Sequence, residues 1–353
     1  MKNDLEYGIH TYSVEKVLTY KQYKKIKEMC LVSGKTKDDS NILARTESFF
    51  YYGLVERGIK VYLFGLSGEI YHLSIQIEPC RVLGSLDPTA LFRANKRHYK
   101  QLVKAVDAEL KKLLVPGSID GMKISRCDVT INVSFDDHNI LSEYLRILKK
   151  GYVPKKFEVT KFQKSDGKAK DWESANQTSY CISGKNERFL IYDKIAQLKM
   201  IGRWNEGLAN ENILRLEAEL QRKALKKYLG KTAMQSNQEL LSAAMNKAQP
   251  IIRGYFRKMN LDCNAYLRYA EVVSQIKGAR VSAKTQERML YFLKKTSDGK
   301  NINSALEKMQ DHCGINRRQA NQILKKFRQL GFSPVTLRNG SAIRELPPLL
   351  RGV

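Results

Sequence analysis

The chain has 353 residues, of which 42% are hydrophobic, so it is long enough for one large domain or two ordinary ones. Its formal net charge is +26, from 62 lysines and arginines against 36 aspartates and glutamates. Such an excess favours a polyanionic partner, with nucleic acid ahead of a membrane surface, and we find no apolar run that would span a bilayer.

The cysteines are scattered along the chain, and none of the six forms a C-x-x-C pair. This spacing disfavours both a zinc site and a disulfide framework. No secretory signal follows Met1, so we expect a cytoplasmic protein.

Alternation of polar and apolar residues, interrupted by helical spacing, predicts an α+β domain between Thr46 and about Gly230. The expected strands are His72 to Glu78, Ile124 to Phe135, a strand carrying Phe189 and Ile191, and Ile213 to Gln221. Helices are expected near Leu102 to Leu113 and near Leu141 to Leu148, and Lys149 to Lys170 is expected to be a mobile basic loop. We therefore predict a central, mostly antiparallel sheet with helices on one face and an open polar face.

The C-terminal part is predicted to be a helical module over residues 231–353, following a catalytic domain over residues 1–230. Asn316 is placed to cap a helix that Gly331 and Pro334 end. Its apolar stripe is Ala320, Ile323, Leu324, Phe327 and Leu330. The other face carries Arg317, Arg318, Asn321, Lys325 and Arg328. These residues, with Arg126 of the sheet, are candidate DNA contacts, and the module is either a helix-turn-helix or a generic helical packing unit.

Carboxylates alternate along the polar faces of two predicted strands. Asp128 lies on one strand, and Glu217 and Glu219 lie on another. Carboxylate oxygens are the ligands that Mg²⁺ or Mn²⁺ prefers, and such an ion can polarise a phosphodiester. A solvated face with ion pairs is the alternative for any single strand, but the set as a whole favours a metal site.

Tyr192 lies on the same kind of polar face and is the candidate nucleophile. A tyrosine has an unperturbed pKa of about 10 and attacks only when a base, a cation or a metal favours its oxyanion. Lys194 is expected to emerge beside it and stabilise the phenolate or the phosphate, and Arg188 is expected to hold the phosphate bidentately. The five histidines include no His-x-His pair, so we expect any metal to use carboxylates, and we assign no ligand role to His72 or His138.

The ordered set of these segments resembles the replication initiators of the filamentous-phage gene II/X family and, more distantly, the Rep_trans plasmid initiators. The resemblance covers roughly Val61 to Gly230. It rests on "IYHLSIQIEPCRVLG" at 70–84, "ISRCDVTINV" at 124–133, "DWES" at 171–174, "NERFLIYDKIAQLK" at 186–199 and "LRLEAELQRKALKKYLG" at 214–230.

The resemblance implies that Tyr192 is the nicking tyrosine and that Asp128 and Glu217 are acidic metal ligands. Glu219 matches a second acid of the plasmid type. The plasmid initiators have a glutamate where this chain has Gln76, and Glu78 on the same strand is the expected replacement.

The implied activity is metal-dependent nicking and rejoining of one strand at a rolling-circle origin, through a 5′-phosphotyrosine. The expected partners are duplex and single-stranded origin DNA, a host polymerase that extends the 3′-OH, and a host helicase, since no Walker-type loop is evident. A conjugative relaxase or transposon nickase with the same chemistry, and a non-catalytic DNA-binding regulator, are the alternatives. Whether the chain is a monomer or a homodimer stays open.

Overall fold

The protein is an α+β protein built on a large antiparallel sheet, with a helical C-terminal region, as the sequence predicts. The computed structural model describes residues 4–38, 46–66, 70–161, 169–340 and 342–350. Part of the predicted basic loop, residues 162–168, lies outside these ranges. No helix in these ranges is both long and apolar enough to cross a membrane.

The strands of the described chain form one ten-stranded sheet and one small pair. They are β1 (Asp4–Leu18), β2 (Thr36–Asp38), β3 (Thr46–Tyr51), β4 (Ile59–Leu66), β5 (Ile70–Ile77), β6 (Lys123–Ser134), β7 (Glu158–Val159), β8 (Ser179–Ser183), β9 (Glu187–Asp193), β10 (Ile213–Gln221), β11 (Tyr266–Leu267) and β12 (Glu345–Leu346). The large sheet has the order β2-β3-β4-β5-β1-β6-β10-β9-β8-β7, and β11 pairs with β12.

The described residues form thirteen α-helices. They are α1 (Tyr20–Val32), α2 (Pro79–Val82), α3 (Lys96–Lys112), α4 (His138–Lys149), α5 (Ala169–Thr178), α6 (Lys194–Met200), α7 (Arg222–Leu229), α8 (Asn237–Asn246), α9 (Ala248–Lys258), α10 (Tyr269–Gly278), α11 (Ala283–Asp298), α12 (Ile302–Cys313) and α13 (Arg317–Gln329). The predicted strands correspond to β5, β6, β9 and β10, and the two predicted helices to α3 and α4.

Contacts divide the chain into two compact units, and the first comprises Glu6–Ile131 and Glu217–Ala248. In this unit α1 begins with a capping box at Thr19. Its buried Tyr23 packs on Tyr71 of β5, with ring centroids 4.7 Å apart. A side chain at Gly65 of β4 would meet the Tyr23 ring at 3.2 Å, so α1 covers this face of the sheet closely.

The second unit comprises Asn132–Leu216 and Gln249–Val353, with Met1–Leu5. The Tyr144 hydroxyl on α4 donates to the Pro347 carbonyl at 2.6 Å. The Phe189 ring on β9 stacks on Tyr255 of α9 with centroids 4.6 Å apart. The C-terminal helices are therefore part of the core around β9 and α4, and the division by contacts differs from the boundary at residue 230 that we predicted.

Candidate metal centre

Asp128 lies at the middle of β6, on the polar face of the strand, and is fully buried. The Arg126 side chain holds it bidentately, with Nε to Oδ1 at 2.7 Å and Nη2 to Oδ2 at 2.6 Å. The Thr11 hydroxyl of β1 also donates to Oδ2. Burial raises the pKa of Asp128, and the neighbouring Arg126 charge opposes that rise.

Glu217 occupies the corresponding face of β10 and is also buried. Its Oε2 atom lies 2.9 Å from Nδ1 of His10, a β1 residue whose side chain is 27% exposed. Although this distance is short, the buried Nδ1 atom forms no hydrogen bond to any described residue. The two atoms lie at ion-pair distance, and the same arrangement would also let both be ligands of a common cation.

His10, Asp128 and Glu217 form a three-residue cluster whose ligand atoms all lie within 4.8 Å of one another. Two carboxylates and one imidazole suit a divalent cation, and the imidazole favours Mn²⁺ over Mg²⁺ relative to an all-oxygen set. Three protein ligands leave coordination positions for water or a phosphate oxygen. We refer to these three residues as the His10–Asp128–Glu217 cluster.

The structure does not bring the other two predicted ligands into this cluster. Glu78 follows the end of β5 at the start of α2, where its carboxylate lies 3.9 Å from the Arg81 guanidinium. Glu219 lies 3.4 Å from Nη2 of Arg126. The group of possible ligands that the structure brings together is therefore a mixed one, with His10 beside Asp128 and Glu217, and it differs from the all-carboxylate set that we expected.

The sheet is polar at this face, as predicted, but its centre is not open to solvent. Thr130 and Asn132 of β6 are buried together with Asp128, as is Arg215 of β10. Nε of Arg215 donates to Oδ1 of Asn132 at 2.8 Å. Groups that we expected to be solvated are instead buried, and the bond from Arg215 to Asn132 is made within the protein.

The candidate nucleophile belongs to the second unit. Tyr192 lies on β9 with 9% of its surface exposed, and Arg188 lies on the same strand face, half-buried. Four residues of strand separate their Cα atoms by about 13 Å, which is far for one phosphate to contact both. The Arg188 guanidinium lies 3.8 Å from Sγ of Cys181.

Contrary to our expectation, Lys194 does not lie on the strand with Tyr192. The strand ends at Asp193, whose side chain accepts a hydrogen bond from the Ala196 amide and so caps α6. Lys194 is the first residue of α6, is 3% exposed, and donates to Oε1 of Gln197 at 2.9 Å. The helix begins here because aspartate is a strong N-cap residue, and this redirects the lysine away from the strand face.

The predicted basic helix is present as α13, with Asn316 and Gln319 forming a capping box. Its buried residues are Ala320, Ile323, Leu324 and Phe327, four of the five in the predicted stripe, and the fifth, Leu330, is half-buried. The preceding α12 ends at Gly314, whose left-handed φ of 59° supplies the turn. Helix, turn and helix are therefore in place as predicted.

The candidate DNA contacts on α13 differ in their surroundings. Arg318 and Lys325 are exposed, and Asn321 is half-buried. Arg317 lies over the Tyr152 ring at 5.9 Å, and Arg328 donates to Oδ1 of Asn260 at 2.7 Å. Arg318 and Lys325 are thus the two cations best placed for phosphate contacts.

Replacing both Arg318 and Lys325 with glutamine is expected to weaken duplex DNA binding and to flatten its salt dependence. Each lost phosphate contact lowers the log–log slope by about 0.9, so the pair should lower it by about 1.8. Fluorescence anisotropy at several salt concentrations measures both quantities. The matched control replaces Lys21 and Lys25, exposed on α1, and removes the same charge. Equal slopes for the two double variants would exclude α13 as a DNA-holding helix.

No protein-family model matches this chain, and no curated protein shows significant similarity to it. The interpretation of the site therefore depends on its residues and their geometry.

Proposed function

We propose that the protein nicks one DNA strand at a rolling-circle origin, using a divalent cation and Tyr192 as the nucleophile. The observation that carries the proposal is the buried His10–Asp128–Glu217 cluster, in a chain whose net charge is +26. Arg126 compensates the charge of Asp128, and a bound cation would compensate the second buried carboxylate, Glu217. A strongly basic chain is suited to a phosphate polymer.

Each group has a defined task in this proposal. His10, Asp128 and Glu217 hold the cation, which when bound polarises the scissile phosphodiester. Arg126 fixes the orientation of Asp128 through its two hydrogen bonds. The Tyr192 oxygen loses its proton to solvent and bonds to phosphorus, the P–O3′ bond breaks, and the 3′ oxygen takes up a proton. Reversal by a 3′-OH reseals the strand without ATP, and a host polymerase and helicase act between the two steps.

A conjugative relaxase or transposon nickase would use the same residues for the same reaction. The non-catalytic alternative, a DNA-binding regulator, is favoured by one observation. Arg126 already supplies a positive charge to Asp128 and lies close to Glu219, so these carboxylates could be a structural ion-pair network. In that case DNA binding by α13 would be the whole activity.

A nicking assay tests the proposal directly. Supercoiled plasmid carrying the DNA around the chain's own coding sequence is incubated with the protein and Mn²⁺, Mg²⁺ or EDTA. We expect conversion to open circles with either metal, faster with Mn²⁺, and none in EDTA, whereas DNA binding persists in EDTA. A supercoiled plasmid without that DNA is the control. Binding without nicking under every metal condition would favour the regulator.

A further inference from the structure

Three aromatic side chains form a row on the face of the sheet opposite α1. Phe50 of β3 stacks on Tyr62 of β4 with centroids 4.8 Å apart, and Tyr62 lies parallel to Phe64 at 6.3 Å. The intervening residues of β4, Val61 and Leu63, are buried, which shows that the row lies on the other face. We call Phe50, Tyr62 and Phe64 the aromatic row.

The aromatic row is accessible to a ligand. Phe64 is 41% exposed, and Phe50 and Tyr62 are half-buried. On the neighbouring strand β5, the residue paired with Tyr62 is the small Ser74, and the one paired with Phe64 is His72. Among the described residues of β5, no large apolar side chain is paired with Tyr62 or Phe64, so the aromatic row does not continue across the sheet as a hydrophobic core.

Positive charge surrounds the aromatic row. Lys37 is paired with Phe50 across β2 and β3, and Lys60 lies two residues before Tyr62 on the same face of β4. Burial raises the pKa of Tyr62, and the Arg126 charge acts against that rise, which places Arg126 within electrostatic reach. One acidic residue, Glu15, is paired with Ser74 beyond the row. Arg126 is already paired with Asp128 and Glu219, so the positive charge at the row comes from Lys37 and Lys60, against the one carboxylate of Glu15, and it suits a phosphate backbone.

The aromatic row also lies near the His10–Asp128–Glu217 cluster within the same unit. The sheet order β4-β5-β1-β6 separates Tyr62 from β6 by three strand spacings, about 14 Å, and Asp128 contacts Thr11, which lies four residues, about 13 Å, along β1 from Glu15 at the level of Tyr62. Arg126 binds Asp128, and its charge also opposes the rise in the pKa of Tyr62, so it is close enough to interact with both residues. A few nucleotides of an extended strand would cover this distance.

We propose that the aromatic row stacks the unpaired bases of the DNA strand that flanks the scissile phosphate. Bases in a duplex already stack on each other, whereas every unpaired base offers a free π-face whatever its sequence. The cations around the row would contact the backbone of the same strand. The position of the scissile phosphate rests on the proposed function, but the binding of unpaired bases to the aromatic row does not.

Substitutions at Phe64 separate stacking from simple apolar contact. Binding of a fluorescein-labelled 15-nucleotide oligothymidylate is measured by anisotropy in EDTA, with a duplex of equal length beside it. We expect Phe64→Ala and Phe64→Leu to weaken single-strand binding about tenfold, within the range for loss of one stacked base. Phe64→Trp should keep or increase the affinity, and duplex binding should stay unchanged. Thermal unfolding checks that each variant is folded.

Tyr20→Ser is the matched control, since Tyr20 is an exposed aromatic residue on α1, and it should leave the affinity unchanged. Equal single-strand affinities for wild type and the Phe64 variants would overturn the proposal. The proposal would also be overturned if Phe64→Ala lost self-association while each chain kept its affinity for single-stranded DNA. The aromatic row would then be a contact between two copies of the chain. These measurements use EDTA and DNA without a nick site. A negative result would therefore leave the nicking proposal intact, and a negative nicking assay would leave the binding of unpaired bases intact.

Discussion

Replacing Tyr192 with phenylalanine is expected to abolish covalent attachment of the protein to DNA and to lower nicking by at least about a thousand-fold, as loss of a nucleophile does in other enzymes. The change removes one oxygen from a side chain that is 9% exposed and keeps its ring, so the fold should persist. The assay uses an oligonucleotide labelled at its 3′ end, since the fragment held through its 5′ phosphate then moves with the protein on a denaturing gel.

Tyr180→Phe provides the matched control for this variant. Tyr180 lies on β8 beside β9 and is paired with Ile191, next to Tyr192 in the chain. Burial raises the pKa of Tyr180 to about 12, so its phenolate is harder to form than that of an ordinary tyrosine. We expect full adduct formation in Tyr180→Phe. Mass spectrometry that places the DNA on Tyr180, or on Tyr51 or Tyr52, would contradict the assignment.

Local patterns in the sequence were sufficient to predict the elements that carry most of the candidate site. The alternation in β6 and β10 placed Asp128 and Glu217 on corresponding strand faces, because side chains in a strand alternate with a period of two. The N-cap of α13 at Asn316 and its apolar stripe were visible for the same kind of reason. These features depend on neighbours within a few residues.

His10 could not be found in this way, because its role depends on pairing between distant strands. Thr11 of β1 contacts Asp128 across 117 residues of sequence, and no local pattern sets that pairing. The alternating segment around His10 was a signal for a strand, but its position beside β6 comes from the order of the sheet. Glu78 lies outside the strand for a different, local reason, because the strand ends at Ile77 and α2 begins at Pro79.

Lys194 was placed wrongly on the strand, and the division by contacts differs from our boundary at residue 230, for different reasons. The strand pattern was extended one residue past Asp193, although an aspartate before a helical run is itself an N-cap signal. The later helices were treated as separate because the periodicity changes near residue 230. Periodicity reports the type of element, whereas the stacking of Tyr255 on Phe189 decides which core a helix joins. A fragment ending near residue 230 would lose that contact, so substitutions are better tests than truncation.

Removing one ligand of the His10–Asp128–Glu217 cluster is expected to abolish specific binding of Mn²⁺ and, with it, the nicking activity. Asp128→Asn and Glu217→Gln keep the shape of each side chain but lose its negative charge, and loss of a ligand should cost more than the 10- to 100-fold typical of residues around a ligand. Asp128→Asn also deprives the Arg126 guanidinium of its buried partner, so it should lower stability as well as affinity.

His10→Gln is the more informative variant because Nδ1 of His10 forms no hydrogen bond to the described residues. If His10 is a ligand, Mn²⁺ should stabilise the wild type by about 2.7 kcal/mol at a hundred times its Kd and should leave His10→Gln unchanged at that concentration. Thermal unfolding with and without Mn²⁺ measures this difference, and calorimetric titration gives the affinity. Glu219→Gln, which removes a carboxylate near Arg126 but outside the cluster, should lower the affinity about tenfold at most. If Mn²⁺ stabilises His10→Gln and the wild type equally, the contact of His10 with Glu217 is an ion pair of the fold and the cluster is not the metal site.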